Sequence, residues 1–128
     1  MRKALGLAAM VATILLSGAA AVAGPWEDGM VAYNRGDYAP AVKLFRPLAQ
    51  AGSAKAQNAM GVMYRKGEGV ARSSAHAFMW FSLAAKKGDT QAKASLQEMS
   101  KDMSAAEMEH AGEMMAACEA SAYRNCEY

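Results

Sequence analysis

The hydrophobic positions of this chain follow two patterns, and the change between them falls near residue 24. Residues 4–16 form an apolar run that only Gly6 and Thr13 interrupt, whereas the later apolar residues recur at spacings of three and four. Such spacings place side chains on one face of an α-helix. The pattern therefore predicts an apolar leader followed by a series of short amphipathic helices.

The composition of the second region favours one fold class. Residues 24–128 contain 22 Ala and nine Met, but only four Val, one Thr and no Ile. Strands favour β-branched residues, whereas helices favour Ala, Leu and Met. We therefore expect an all-α fold.

An internal repeat is present in this helical region. Shifting residues 41–60 by 36 positions aligns five identical pairs, namely Ala41/Ala77, Phe45/Phe81, Ala49/Ala85, Gly52/Gly88 and Ala56/Ala92. The repeat predicts units in which a helix ends at Gly and the next begins after an N-capping Ser or Asp. Helical hairpins of this length bury their apolar faces only by stacking on one another.

The stretch from Gly52 to Gly88 resembles the Sel-one-like repeat (SLR), a relative of the tetratricopeptide repeat (TPR). The signature positions of the resemblance are Ala56, Gly61, Tyr64, Gly67, Gly69, Trp80, Ala85 and Gly88. The resemblance implies a short right-handed α/α solenoid with a concave groove. It divides residues 24–100 into a degenerate unit at 29–52, a full unit at 53–88 and a half-unit at 89–100. The first unit lacks the Gly-x-Gly-Val loop and has a shorter, TPR-like turn at residues 34–37.

The leader has the organisation of a secretory signal peptide. Arg2 and Lys3 precede the apolar run, and Ala21-Val22-Ala23 supplies the small-x-small pattern of a cleavage site. We predict that residues 1–23 are removed, which leaves a periplasmic or secreted bacterial protein with no membrane segment. The alternative is an uncleaved signal anchor, because residues 4–23 are long enough to span a bilayer.

Residues 101–128 predict a C-terminal capping helix. Ser104 and Glu107 have the spacing of a capping box, so the helix should begin after Ser104 and extend to residues 120–123. Its apolar side is expected to comprise Met108, Ala111, Met115 and Cys118. Residues 102–128 carry six acidic and one basic side chain, net −5, whereas residues 29–101 carry eleven basic and four acidic side chains, net +7. We expect this charge complementarity to help hold the helix against the repeats.

Cys118 and Cys126 are the only cysteines. On a continuous helix they would lie about 12 Å apart, beyond the roughly 7 Å between Cα atoms that a disulfide allows. A disulfide therefore requires a turn, which we place at residues 123–125 with Asn125 left-handed. We predict the bond in an oxidising compartment. Free thiols, a redox pair and metal ligation are the alternatives.

The sequence predicts no catalytic residue, cofactor or metal site. His76 and His110 are isolated on separate helices, and Ser73 and Ser74 are not expected to form a catalytic relay with His76. Gly67 and Gly69 follow no strand, which argues against a phosphate-binding loop. Residues 24–128 have 12 basic and 12 acidic side chains. This balance argues against a nucleic-acid partner.

The favoured hypothesis is a non-enzymatic interaction module that binds a protein or peptide through the concave face. The predicted contact residues are Lys55, Asn58, Val62 and Arg65, which follow one helix stripe. A second copy of the chain is the other partner considered. One alternative, implied only by the resemblance, is the β-lactam binding or hydrolysis described for some cysteine-rich SLR proteins, although this sequence lacks their repeated cysteine pairs. Another is Cu(I) binding by His110 with Met99, Met103, Met108, Met114 and Met115.

Overall fold

The computed structural model describes residues 24–126, and within this range it consists of six α-helices without a strand. The helices are α1 (Pro25–Asn34), α2 (Tyr38–Gln50), α3 (Ala54–Lys66), α4 (Ser74–Lys86), α5 (Thr90–Met99) and α6 (Ala105–Ala120). The predicted all-α class is confirmed. The predicted signal peptide and its cleavage site lie outside the described residues.

The helices form a short stack of hairpins. The pairs α1–α2 and α3–α4 pack as hairpins, and α3 also contacts α2 and α5. The third pair differs, because α5 and α6 both pack against α4 rather than against each other. Helix α4 therefore occupies the centre of the core, and its Trp80 and Phe81 are fully buried.

The helix boundaries agree with the predicted capping residues. Ser53 Oγ accepts a hydrogen bond from the Ala56 backbone N–H at 3.4 Å, and Asp89 Oδ1 accepts one from Ala92 at 2.8 Å. Gly67 ends α3 in the left-handed conformation, with φ of 73°. These local interactions satisfy backbone groups that a helix end leaves unpaired.

A glycine–phenylalanine contact recurs in the first two hairpins. A Cβ atom on Gly61 would lie 2.6 Å from Phe81 Cδ1, and one on Gly29 would lie 2.5 Å from Phe45 Cε1. Both glycines therefore let the second helix approach the first closely. Gly61 precedes Phe81 by 20 residues and Gly29 precedes Phe45 by 16, so the first hairpin is four residues shorter.

Helix α6 begins with the predicted capping box. Ser104 Oγ accepts from the Glu107 N–H at 3.1 Å, and the Ser104 N–H donates to Glu107 Oε2 at 2.7 Å. Met115, predicted on the apolar side, is half-buried and packs against the core, but the buried methionine of α6 is Met114, which the sequence did not assign to that side. The reason is that Met114 continues the spacing of the other buried residues of α6, Ala111 and Cys118.

Two features attach this C-terminal segment to the repeats. Lys86 Nζ lies 2.9 Å from Glu119 Oε1, a direct ion pair between the basic and acidic regions. Lys87 contacts both the Tyr123 ring and the Gly52 carbonyl oxygen. The C-terminal segment therefore contacts the rest of the protein partly through charged side chains.

The cysteines form a disulfide, with their Cα atoms 4.5 Å apart. The turn that allows it begins earlier than the sequence predicted and overlaps the predicted residues 123–125. Ala122 and Tyr123, with φ of 53° and 64°, are the left-handed residues, rather than Asn125. The turn comes earlier because the Tyr123 N–H donates to the Cys118 carbonyl at 2.9 Å, immediately after the helix end. Closing so short a loop stabilises the fold by about 2.5 kcal/mol in the chain-entropy model.

Candidate binding groove

A cavity of about 200 Å³ opens between α1 and α3, on the face formed by the first helix of each pair. We call it the α1–α3 cavity. The residues that line it are Trp26, Met30, Tyr33, Phe45, Lys55, Asn58, Ala59, Val62 and Gln91. Most of these side chains are apolar, and the polar groups come chiefly from α3 and α5.

Three of the four predicted contact residues lie together in this cavity, namely Lys55, Asn58 and Val62. Arg65 does not line it. Its guanidinium instead forms an ion pair with Glu98 of α5 at 3.0 Å. Arg65 also lines a separate polar cavity of about 150 Å³, together with Arg72, Ser74, Met99, Asp102, Met103 and Glu107. The structure therefore divides the predicted stripe between two sites.

Helix α1 supplies an apolar wall that the sequence analysis missed. Trp26, Met30 and Tyr33 follow one another at helical spacing and all line the cavity. The first repeat was expected to begin at residue 29, so the start of α1 was left outside it. An alignment of Gly29 with Gly61 would have revealed the wall, because it pairs Trp26, Met30 and Tyr33 with Asn58, Val62 and Arg65 of the predicted stripe.

Lys55 provides the cation of the cavity. Its side chain is exposed, and its Nζ lies 4.6 Å from the centroid of the Trp26 ring. This is the geometry of a cation–π contact. Among residues 24–126, Lys55 forms no ion pair. Its ammonium group is therefore positioned by an aromatic ring rather than neutralised by a carboxylate.

Asn58 provides an unsatisfied acceptor. Its Nδ2 donates to Oε1 of Gln91 on α5 at 3.4 Å, which orients the amide. Its Oδ1 is buried and accepts no hydrogen bond within the described part of the chain. A buried polar atom without a partner is costly, and most such atoms in proteins are paired.

The loop between α3 and α4 contacts Tyr33, one of the residues that line the cavity. Glu68 Oε1 accepts a hydrogen bond from the Tyr33 hydroxyl at 3.2 Å, so the loop is tied to α1. Burial, and secondarily the hydrogen bond to Glu68 and its charge, raise the pKa of Tyr33 to about 12. The charge of Glu68 also raises the pKa of Tyr38. A Cβ on Gly69 would lie 2.7 Å from the Tyr38 carbonyl oxygen, so the loop passes close to α2.

One side-chain pair is closer than the sequence analysis expected. Ser73 Oγ lies 2.8 Å from Nδ1 of His76, and the same hydroxyl accepts the His76 backbone N–H at 3.2 Å as the N-cap of α4. The His76 ring also stacks on Tyr64, with centroids 4.7 Å apart. The Ser–His contact thus forms part of a helix cap.

The methionines proposed for copper differ in exposure. Met99 and Met114 belong to the hydrophobic core cluster. Between residues 24 and 126, no group of three or more His, Cys, Asp or Glu side chains is placed to hold a metal ion. Core packing accounts for these two methionines without a metal.

The stacked hairpins define a helical repeat protein with a groove on one face. Residues 54–89, which span α3 and α4, match the family model of the Sel1 repeat. The chain therefore contains a Sel1 repeat within a TPR-like helical repeat fold, as the resemblance implied. Sel1 repeats generally mediate protein–protein interactions and are typically non-enzymatic. No curated protein matches this chain. No helix within residues 24–126 is long and apolar enough to cross a membrane.

Proposed function

We propose that this protein is an exported, non-enzymatic interaction module that binds a segment of a partner protein in the α1–α3 cavity. The observation that carries the proposal is the lining of this cavity. An apolar wall from α1 faces the exposed cation Lys55 and the side chain of Asn58, both from α3. The cavity thus combines an apolar surface with a few oriented polar groups, as binding sites commonly do.

The size of the cavity favours a protein segment over a small-molecule substrate. Its volume of about 200 Å³ is below the roughly 300–1,000 Å³ of typical sites for small molecules. An apolar cavity of about 150 Å³ holds a benzene ring. The α1–α3 cavity therefore suits a single side chain of a partner, and less well a complete β-lactam.

The disulfide supports export of the protein. Disulfides persist in secreted and periplasmic proteins and are rare in a reducing cytosol. Cys126 is fully buried together with Cys118, so the bond belongs to the packed structure of the C-terminal segment. This supports the predicted periplasmic or secreted location, whereas removal of residues 1–23 rests on the sequence pattern of the leader.

Site-specific photo-crosslinking tests the proposed function. A photoreactive benzoylphenylalanine replaces Val62 in the cavity or, in a matched control, the exposed Lys43 on α2. Irradiation of cells should yield defined adducts from position 62 and none from position 43. The double change Lys55→Ala with Asn58→Ala should abolish the adducts at position 62 while circular dichroism shows an unchanged fold.

The opposite results would contradict the proposal. Equal adduct patterns at positions 62 and 43 would mean that the cavity has no preferred partner. The absence of adducts at position 62 would mean that no protein occupies it in the cell.

A further inference from the structure

We propose that the α1–α3 cavity recognises an extended partner segment in which one large apolar residue stands next to an acidic residue. The apolar side chain enters the cavity, and the carboxylate meets the ammonium group of Lys55. This inference rests on the proposed function and specifies the chemistry of the segment.

The apolar part of the recognition follows from the wall of the cavity. Trp26 and Met30 of α1 line one side of it, and Val62 of α3 lines the other. The buried Phe45 is also one of its lining residues. Its volume of about 200 Å³ accommodates a side chain of the size of Leu, Met or Phe, given that about 150 Å³ suffices for benzene. Ala would leave most of the apolar wall uncovered.

Asn58 contributes to the shape of the cavity rather than to a hydrogen bond with the partner. Its Nδ2 donates to Oε1 of Gln91, and its Oδ1 is buried. The exposed polar group of α3 in the cavity is therefore the ammonium group of Lys55.

The acidic residue follows from Lys55 and its distance along α3. Lys55 and Asn58 are three residues apart, which is about 4.5 Å along a helix axis. An extended chain advances about 3.3 Å per residue. A carboxylate one or two positions from the apolar residue therefore reaches the ammonium group of Lys55. No acidic side chain of residues 24–126 forms an ion pair with this group.

Peptide titration tests the recognition without altering the protein. The parent peptides are short Gly/Ser sequences with a central Asp-Leu or Leu-Asp pair, added to the purified exported protein. Binding is followed by NMR at the Trp26 indole and the Asn58 side-chain amide. At least one parent should bind, and replacing its Leu by Ala should weaken binding by about tenfold or more. Replacing its Asp by Asn should weaken binding several-fold at low salt, and less at about 1 M NaCl, where the Debye length is about 3 Å.

A variant of the protein assigns the acidic contact to its residue. The Asp-to-Asn change in the peptide should lose its effect in Lys55→Gln. Lys43→Gln, which removes the same charge from α2, is the matched control and should bind as the wild type does.

The outcomes separate this inference from the proposed function. The inference is wrong if adducts form at position 62 but replacing Leu by Ala, or Asp by Asn, leaves peptide binding unchanged. In that case the proposed function stands. If neither adducts nor peptide binding are found, both are wrong.

Discussion

The hairpins α1–α2 and α3–α4 share their core contacts and differ in the surface that they present to the groove. Each has a helical glycine against a buried phenylalanine, Gly29 with Phe45 and Gly61 with Phe81. At the groove, α1 presents Trp26, Met30 and Tyr33, whereas α3 presents Lys55, Asn58 and Val62. The repeated positions therefore build the stack, and the positions that differ shape the cavity.

This division has a physical reason. A contact between stacked helices must fit closely wherever it recurs, because protein interiors are densely packed and even one added carbon disturbs the packing. A groove position faces solvent or a partner, so its side chain can change without disturbing the neighbouring unit. In such a protein, the residues that determine binding are those that differ between the repeats.

The largest expected effect distinguishes the two glycines. Gly61→Ala should lower the free energy of unfolding by about 2 kcal/mol, because overpacking outweighs the gain of about 1 kcal/mol in helix propensity. Phe81 is fully buried, and α3 is held by α2, α4 and α5, so neither can move away easily. Urea unfolding followed by circular dichroism measures the change.

Gly29→Ala is the matched comparison and should cost less than about 1 kcal/mol. Helix α1 packs chiefly against α2 and can shift outward to relieve the contact. An equal or larger loss in Gly29→Ala would mean that the terminal hairpin is held as firmly as the central one.

An intermediate effect concerns the hydrogen bond from Tyr33 of α1 to Glu68 in the loop between α3 and α4. Because the pKa of Tyr33 is raised from 10.0 to about 12 in the folded protein, its phenol ionises first in the unfolded chain. Its stabilising contribution should be complete below pH 10 and lost as the pH rises through about 12. At neutral pH, Tyr33→Phe should cost about 1 kcal/mol, the typical contribution of one hydrogen bond.

The test compares the unfolding free energies of the wild type and Tyr33→Phe on either side of pH 10. The difference between them should shrink with rising pH, and Glu68→Gln should weaken that dependence. A constant difference would show that Tyr33 contributes through packing alone.

The smallest expected effect concerns the ion pair between Arg65 and Glu98, outside the α1–α3 cavity. The hydrogen bond from Arg65, together with its charge, lowers the pKa of Glu98. The stabilisation is present above the unfolded pKa of Glu98 and is lost as the pH falls through its folded value. In Arg65→Gln, NMR titration of the Glu98 carboxyl should show its pKa return toward the ordinary value.

Arg65→Gln also probes the separation of the two sites. Since Arg65 does not line the α1–α3 cavity, the adducts at position 62 should persist in this variant. Their loss would place Arg65 back within the binding surface that the sequence alone predicted.

The sequence by itself determined the helices and most of the stacking contacts. Ser53, Asp89 and Ser104 cap helices as predicted, because capping depends on residues only a few positions apart. The recurring Ala and Phe positions likewise predicted a buried stripe, since the helical period places them on one face.

Only the tertiary structure decided which groove residues lie together. Whether Trp26 faces Lys55 depends on how closely α1 approaches its neighbours, and that approach depends on the contact between Gly29 and Phe45. Likewise, Arg65 of α3 forms its ion pair with Glu98 of α5. The hydrogen bond from the Tyr123 N–H to the Cys118 carbonyl stabilises the turn at Tyr123. A periodic pattern specifies the face of each helix, but the packing of helices sets the distances between those faces.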